Sequence, residues 1–262
     1  MPRSMSSAPQ RAMELLGIQA EGSLDGRGRI VDCDGVTIAS CDGGLLLWIG
    51  TEVPDAVAAE LAAAFERATP PAAPSEPPPV LEVCETILAS AGGAMQRSGG
   101  PSYVIPPDAR FDCDVAIERS DGTGADRLRG ANPGNWHPVE WDELLDGRLG
   151  PWAIVVQGDQ AISICHTPGP LTERAAECGV WTEPRFRGRG YAAATAAAWV
   201  ALVRSPARTL FYSTDTDNQS SQRVARRLGL RAFGWTWRLR RARGDDGVRL
   251  HPLCSLYRSS AS

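Results

Sequence analysis

The sequence contains no lysine, so all 27 of its basic residues are arginine. Alanine is also very frequent, and codon bias in a GC-rich genome accounts for both features without invoking function. A basic excess is missing as well: the formal net charge is -4 and the pI is near 5.5. General affinity for nucleic acid or for an anionic membrane surface is therefore not expected, because both need excess cations to displace counterions. No segment approaches the roughly 20 consecutive apolar residues of a membrane span, and Met1 to Gln10 lacks the apolar stretch of a secretory signal. A cytoplasmic chain is expected. Its cysteines (Cys33, Cys41, Cys84, Cys113, Cys165, Cys178 and Cys254) are odd in number and scattered, with no CxxC pair and no nearby histidine cluster. They read as reduced thiols rather than disulfides or a zinc site, and no metal is expected.

With 262 residues and 43% hydrophobic content, the chain can hold one large domain or two modest ones with packed cores. The first third reads as a small α/β unit. Arg29 to Cys33, Val36 to Ser40 and Leu45 to Ile49 are short, β-branched or leucine-rich, and separated by Asp-Gly and Gly-Gly turns, which predicts a three-strand meander. Val57, Leu61, Ala64 and Phe65 recur at helical spacing after Pro54, a residue suited to a helix start. Prolines dominate residues 69–79 and favour an extended linker or surface loop. Beyond it we expect a helix over Val80 to Ala91, a Gly-rich break over Gly92 to Gly100, a strand at Tyr103 to Pro106, and a polar loop rich in Asp and Gly.

After Asn135 the pattern sharpens. His137 to Leu145 predicts a short helix, and Trp152 to Gln157 with Ala161 to His166 predicts a hairpin turning at Gly158-Asp159. A third strand is expected over Ala176 to Thr182. It is followed by a glycine-bearing turn, an Ala-rich helix over Arg189 to Arg204, a strand over Thr209 to Ser213, a helix over Gln219 to Leu228, and two strands around Gly244 to Gly247. This division sets an N-terminal α/β region at residues 1–135 before a second domain at residues 136–262. The run Trp235 to Arg243 interleaves aromatics and arginines, a pattern also seen where single-stranded nucleic acid binds. Alternation along one strand with a solvated face explains it more simply in an acidic chain.

The chemistry concentrates in Pro184-Arg185-Phe186-Arg187-Gly188-Arg189-Gly190-Tyr191, which joins the third strand of this region to a helix. Its glycines let the backbone turn tightly and approach a ligand without Cβ obstruction. Successive N–H groups of such a loop and helix N-terminus converge on phosphate oxygens, the helix dipole adds positive potential, and nearby arginines strengthen the preference for a diphosphate. Downstream, the segment Asn218 to Leu230 follows a strand and predicts a helix that starts at an Asn or Asp cap and stops at Gly229.

In order and separation, these two segments resemble the signatures of the GNAT acetyltransferases. Arg185 to Gly190 is similar to the family's Q/R-x-x-G-x-G/A pyrophosphate loop, and Asn218 to Leu230 is similar to its N-x-x-S-x-x-x-A-x-x-L-G-F/L element. The resemblance covers about Ala153 to Tyr257. It implies a mixed, mostly antiparallel sheet flanked by helices, in which one strand splays from its neighbour to open a cleft, preceded by a smaller α/β region. That N-terminal region would bind the acceptor or be a degenerate copy of the same fold. The implied activity is N-acyl transfer from acetyl-CoA, with coenzyme A as product, to an amine of a small molecule or peptide. Nucleic acid and membrane are not implied as partners, and a homodimer is left open. A lysine-free chain would have no lysine side chain of its own to acetylate.

By the same resemblance, Arg185, Arg187, Gly188, Arg189, Gly190, Tyr191 and Ala192 fall on the diphosphate loop. Val180, Trp181 and Thr182 fall on the strand whose backbone pairs with the pantetheine amides, and Asn218 with Ser221 would lie by the acyl group. Direct attack by an amine requires removal of an ammonium proton, polarisation of the carbonyl and protonation of the thiolate. Glu177 is the first candidate general base and Glu183 the second. His166 is a candidate proton relay, and Cys178 reads as a buried small hydrophobe. Many relatives carry a proton-donating tyrosine four residues before the final glycine. Here that position is Ala225, leaving Ser221, Tyr212, Tyr191 or water as donors. The competing reading is a catalytically silent acyl-CoA-binding scaffold.

Overall fold

A computed structural model describes residues 7–242. The described elements run α1 (Ala8–Glu21), β1 (Val36–Cys41), β2 (Gly44–Ile49), α2 (Asp55–Phe65), α3 (Val80–Gly92), β3 (Met95–Ile105), β4 (Ile117–Arg119), α4 (Ala125–Leu128) and α5 (Pro138–Leu145). They continue with β5 (Trp152–Gln157), β6 (Gln160–His166), β7 (Ala175–Glu177), β8 (Gly179–Thr182), α6 (Tyr191–Val203), β9 (Thr209–Ser213), α7 (Gln219–Arg227) and β10 (Arg231–Arg241). The second strand expected after Gly247, and Cys254, lie outside the described residues. Within them, one compact unit takes residues 7–103, 213–217 and 232–242, and the other takes residues 104–212 and 218–231.

In the first unit the strand order is β2-β1-β10-β3, with β1 antiparallel to both β2 and β10. Ser7 caps α1 by accepting from the Gln10 N–H at 3.4 Å, and Leu16 carries the helix into a small core with Ala39 and Cys41. A larger core joins Val36 and Ile38 of β1 to Leu61 of α2 and to Leu81, Cys84 and Leu88 of α3. Burial pushes the Cys84 thiol up to about 11, so it packs as an apolar residue. The expected strand at Arg29 to Cys33 is reduced to isolated bridges from Ile30 to Leu24 and Gly50. Turn chemistry explains this: the Asp25 carboxylate accepts from the Arg27 and Arg29 N–H groups at 2.8 Å, and Asp32 takes a positive φ of 51°.

The expected break over Gly92 to Gly100 is largely strand. A Cβ on Gly99 would meet the Trp237 ring at 2.4 Å, and one on Gly100 would meet the Thr214 carbonyl oxygen at 1.8 Å. These glycines admit close neighbours rather than end the strand. The Trp235 to Arg243 run also differs from expectation. Its described part lies in β10, where Trp237 and Leu239 are buried and the Trp235 and Trp237 rings stand 6.2 Å apart. The aromatics build the core instead of presenting a stacking platform.

The second unit contains the antiparallel sheet β4-β5-β6-β8 and a parallel pair, β7 with β9. Alternate residues Trp152, Ile154 and Ile164 face a core shared with Trp141, Leu144 and Leu145 of α5. His137 caps that helix through its ring nitrogen, 3.3 Å from the Val139 N–H. The opposite face of the sheet meets α6, where Ala193, Ala194, Ala196 and Trp199 are buried. Small residues allow this helix to sit close to both sheet and α7. The polar loop before α5 contains β4 and α4, two short elements the composition hid.

Leu81 is fully buried between helix and sheet. Leu81→Ala is expected to lower unfolding free energy by about 2–5 kcal/mol, seen in urea titration as a lower midpoint with an unchanged slope. A midpoint equal to that of the unsubstituted protein would contradict this core assignment.

Candidate active site

The sequence predicts one continuous strand over Ala176 to Thr182, whereas the structure divides it at Cys178. Residues 175–177 pair in parallel with β9, with Glu177 opposite Phe211. Residues 179–182 pair antiparallel with β6, with Trp181 opposite Ile164. Cys178 sits between: its N–H donates to the Phe211 carbonyl at 2.9 Å, and its sulfur lies 3.4 Å from that of Cys165 on β6. Both thiols are buried, and burial together with the Cys178 thiol pushes Cys165 well above its ordinary pKa. The pair is packing rather than nucleophile.

The division leaves β8 at the end of its sheet. Antiparallel pairing alternates, so the Glu183 N–H, which donates to the Ile162 carbonyl at 2.9 Å, marks the register that faces β6. Val180 and Thr182 therefore turn their backbone groups to the open edge. The Thr182 carbonyl is indeed turned away from β6, accepting from Arg187 Nε at 3.1 Å.

Past Thr182 the chain makes a single 3-10 turn at Pro184–Phe186 and enters α6 through Gly190. Gly188 and Gly190 have φ values of 84° and 93°, a left-handed conformation that side chains with a Cβ resist. A Cβ on Gly190 would also meet the Phe111 ring at 2.9 Å, whereas one on Gly188 would point into open space. Among the described residues no side chain caps α6, and its first turn holds no acidic residue. The N–H groups that open an α-helix have no partner within it, so this end presents donors and positive potential.

These donors border a groove open to solvent, walled by the turn on one side and by Ser220, Arg223, Val224 and Arg227 of α7 on the other. Arg227 reaches across to donate to the Gly188 carbonyl at 2.8 Å. That bond holds an acceptor at α7. The donor set, backbone N–H groups with guanidinium groups, fits a polyanion such as a diphosphate.

The expected loop residues divide in two. Arg187, Gly188, Gly190, Tyr191 and Ala192 border the groove together with Thr182. Arg185 instead binds the Glu183 carboxylate at 3.1 Å, and Arg189 lies over the Phe186 ring at 5.1 Å from its centroid. Asn218 caps α7, its side-chain oxygen accepting from the Ser221 N–H at 3.0 Å, and the Tyr212 hydroxyl donates to the Ser221 carbonyl at 3.3 Å. Glu177 is half-buried at the point where the two ladders part. His166 is only 3% exposed, with its ring edge-on to Trp136 at 5.2 Å. Ala225 is buried in α7.

Several contributors escaped sequence reading. A hydroxyl chain ties the two sides of the turn: Thr182 Oγ1 lies 2.8 Å from Ser163 Oγ, which lies 3.5 Å from Thr195 Oγ1, and Thr195 donates to the Tyr191 carbonyl at 3.1 Å. Ser163, Thr195, Phe111 and Arg227 carry no local signal, because each acts through a partner remote in sequence.

Among the described residues no helix is long and apolar enough to cross a membrane, and no group of three or more His, Cys, Asp or Glu could hold a metal ion. Compared with known proteins, residues 115–231 match the family model described as "Acetyltransferase (GNAT) domain". No curated protein matches the sequence. Among solved structures, a putative GNAT-family acetyltransferase from Novosphingobium aromaticivorans is 20% identical, with a TM-score of 0.42, over 56% of this chain and 66% of that one. The chain thus spans just under two thirds of that relative. A GNAT-family acetyltransferase from Colwellia psychrerythraea is 12% identical with a TM-score of 0.44, covering 92% of this chain and 99% of that one. A GCN5-related N-acetyltransferase from Kribbella flavida is 16% identical with a TM-score of 0.45, covering 92% and 98% respectively. Residues 115–231 of this chain are thus similar to a GNAT acetyltransferase domain.

Proposed function

We propose that the protein is an acyl-CoA-dependent N-acyltransferase that moves an acetyl group from acetyl-CoA to a primary amine of a small molecule or peptide. One observation carries the reading: a helix start that no described side chain caps lies behind Gly188 and Gly190 and opens onto a groove edged by arginine, beside a strand that ends its sheet among the described residues. Acetyl-CoA supplies an activated thioester, so an amine can attack directly without a covalent enzyme intermediate.

In this proposal the backbone N–H groups from Gly188 to Ala192, with Arg187, hold the diphosphate. The outward backbone groups of Val180 and Thr182, flanking Trp181, pair with the pantetheine amides, which aims the thioester toward Asn218 and the start of α7. Arg185 and Arg189 contribute long-range positive potential, since their contacts turn them onto Glu183 and Phe186. Glu177 accepts the ammonium proton, directly or through water. Its place at the parting of the ladders supports this, and Glu183, held by Arg185, suits the role less well. Ser221, in the first turn of α7 beside its Asn218 cap, is assigned to protonate the thiolate. His166, a candidate relay by sequence, is buried against Trp136, which supports a packing role instead. A catalytically silent acyl-CoA binder is the second reading, favoured by one observation, the buried Ala225 where many relatives carry their tyrosine.

Incubation with acetyl-CoA and a panel of amines, followed by free-thiol release, separates the two readings. Release dependent on an amine supports the enzyme, and calorimetric binding without turnover on any amine supports the silent binder. Because the chain has no lysine, acetylation of its own lysine side chains cannot contribute to that signal. Glu177→Gln is expected to lower turnover on the order of a hundredfold while leaving coenzyme A affinity unchanged; an unaltered rate would discard the base assignment. Gly188→Val should weaken coenzyme A binding by about tenfold or more, since its side chain projects from a left-handed backbone into the groove region. Both substitutions strain a left-handed backbone and should lower the melting temperature, Gly190→Ala also through its clash with Phe111. Coenzyme A binding left intact by Gly188→Val would contradict this geometry.

A further inference from the structure

Arg223 and Arg227 stand one turn apart on the same face of α7, both bordering the groove opposite the glycine turn. Residues at this spacing have Cβ atoms about 5–6 Å apart, and like charges there repel and destabilise the helix. Among the described residues neither arginine forms an ion pair with a carboxylate, and the first turn of α7 holds no acidic residue. The repulsion is relieved if an anion enters between them. Arg227 is already oriented by its bond to the Gly188 carbonyl, and this preorganisation lowers the entropic cost of binding. Arg223 lies on the exposed side of the helix and borders the groove.

Of the loop arginines, Arg185 is bound to Glu183 and Arg189 lies over Phe186, which leaves Arg187 beside the backbone donors at the groove. The glycine turn thus meets a diphosphate with backbone N–H groups and Arg187. A phosphomonoester carries about -1.5 to -2 charges at neutral pH, which two guanidinium groups match. Arginine offers that group paired donors in a fixed fork.

We propose that Arg223 and Arg227 form a phosphomonoester subsite on α7 that takes the ribose 3′-phosphate of coenzyme A and makes the protein discriminate against the 3′-dephospho form. This rests on the acyl-CoA reading above and divides the labour within it, since the turn holds the diphosphate while α7 selects the nucleotide end.

Calorimetric titration of the full chain with coenzyme A and with 3′-dephospho-coenzyme A tests it. The unsubstituted protein is expected to prefer coenzyme A by on the order of tenfold to a hundredfold, the range of a charge-assisted phosphate contact. Arg223→Gln should bring the two ligands within about threefold by weakening coenzyme A alone, and Arg223→Lys, which keeps the charge, should retain part of the preference. Equal affinity of the unsubstituted protein for both ligands, or an Arg223→Gln variant that weakens both by the same factor, overturns the subsite while leaving the acyl-CoA reading intact. Binding of neither ligand overturns both.

Discussion

A backbone group can complete only one ladder, and the segment from Ala175 to Thr182 resolves that constraint by changing partners at Cys178. Before it, the chain completes a parallel pair with β9; after it, the chain completes an antiparallel pair with β6. The change is held from both directions, by the Cys178 N–H on Phe211 and by Pro168 packed against Gly179, where an added Cβ would meet the proline ring at 3.0 Å. Once the partner changes, β8 is the last strand of its sheet among the described residues. The glycine turn and the start of α6 then follow directly at the end of that strand.

The site uses backbone and side chains for different ends. Backbone donors need no rotamer ordering, and glycine removes the Cβ atoms that would stand between them and a ligand. Side chains fix the frame: Ser163 and Thr195 link β8 to α6, Phe111 supports Gly190, and Arg227 takes up the Gly188 carbonyl. Each of these contacts is modest alone. Together they hold a turn whose φ values an unsupported chain would rarely adopt.

Elements governed by local chemistry were legible in the sequence. The β5–β6 hairpin follows from two apolar runs around Gly158, whose φ is 60°, and α7 follows from its Asn218 cap and Gly229 stop. The loop was legible for the same reason, since glycines in an arginine-rich strand-to-helix turn have few other uses. What depended on remote partners was not. The division at Cys178 leaves no mark in Ala175 to Thr182, which reads as an unbroken strand. Gly99 and Gly100 read as a break because Trp237 and Thr214, which require them, lie more than a hundred residues away. Trp235 and Trp237 read as half of a solvated strand because their burial is decided by β1, the strand beside them.

If the amides from Gly188 to Ala192 bind the diphosphate of coenzyme A, their resonances must respond to it. Backbone amide shifts of the isotope-labelled protein, followed during titration with coenzyme A, are the most direct measurement. Saturable shifts are expected to concentrate at Gly188, Arg189, Gly190, Tyr191 and Ala192, and a simple nucleoside diphosphate should reproduce them at higher concentration. Shifts that saturate elsewhere while these five amides stay unmoved would contradict the proposed mode of binding.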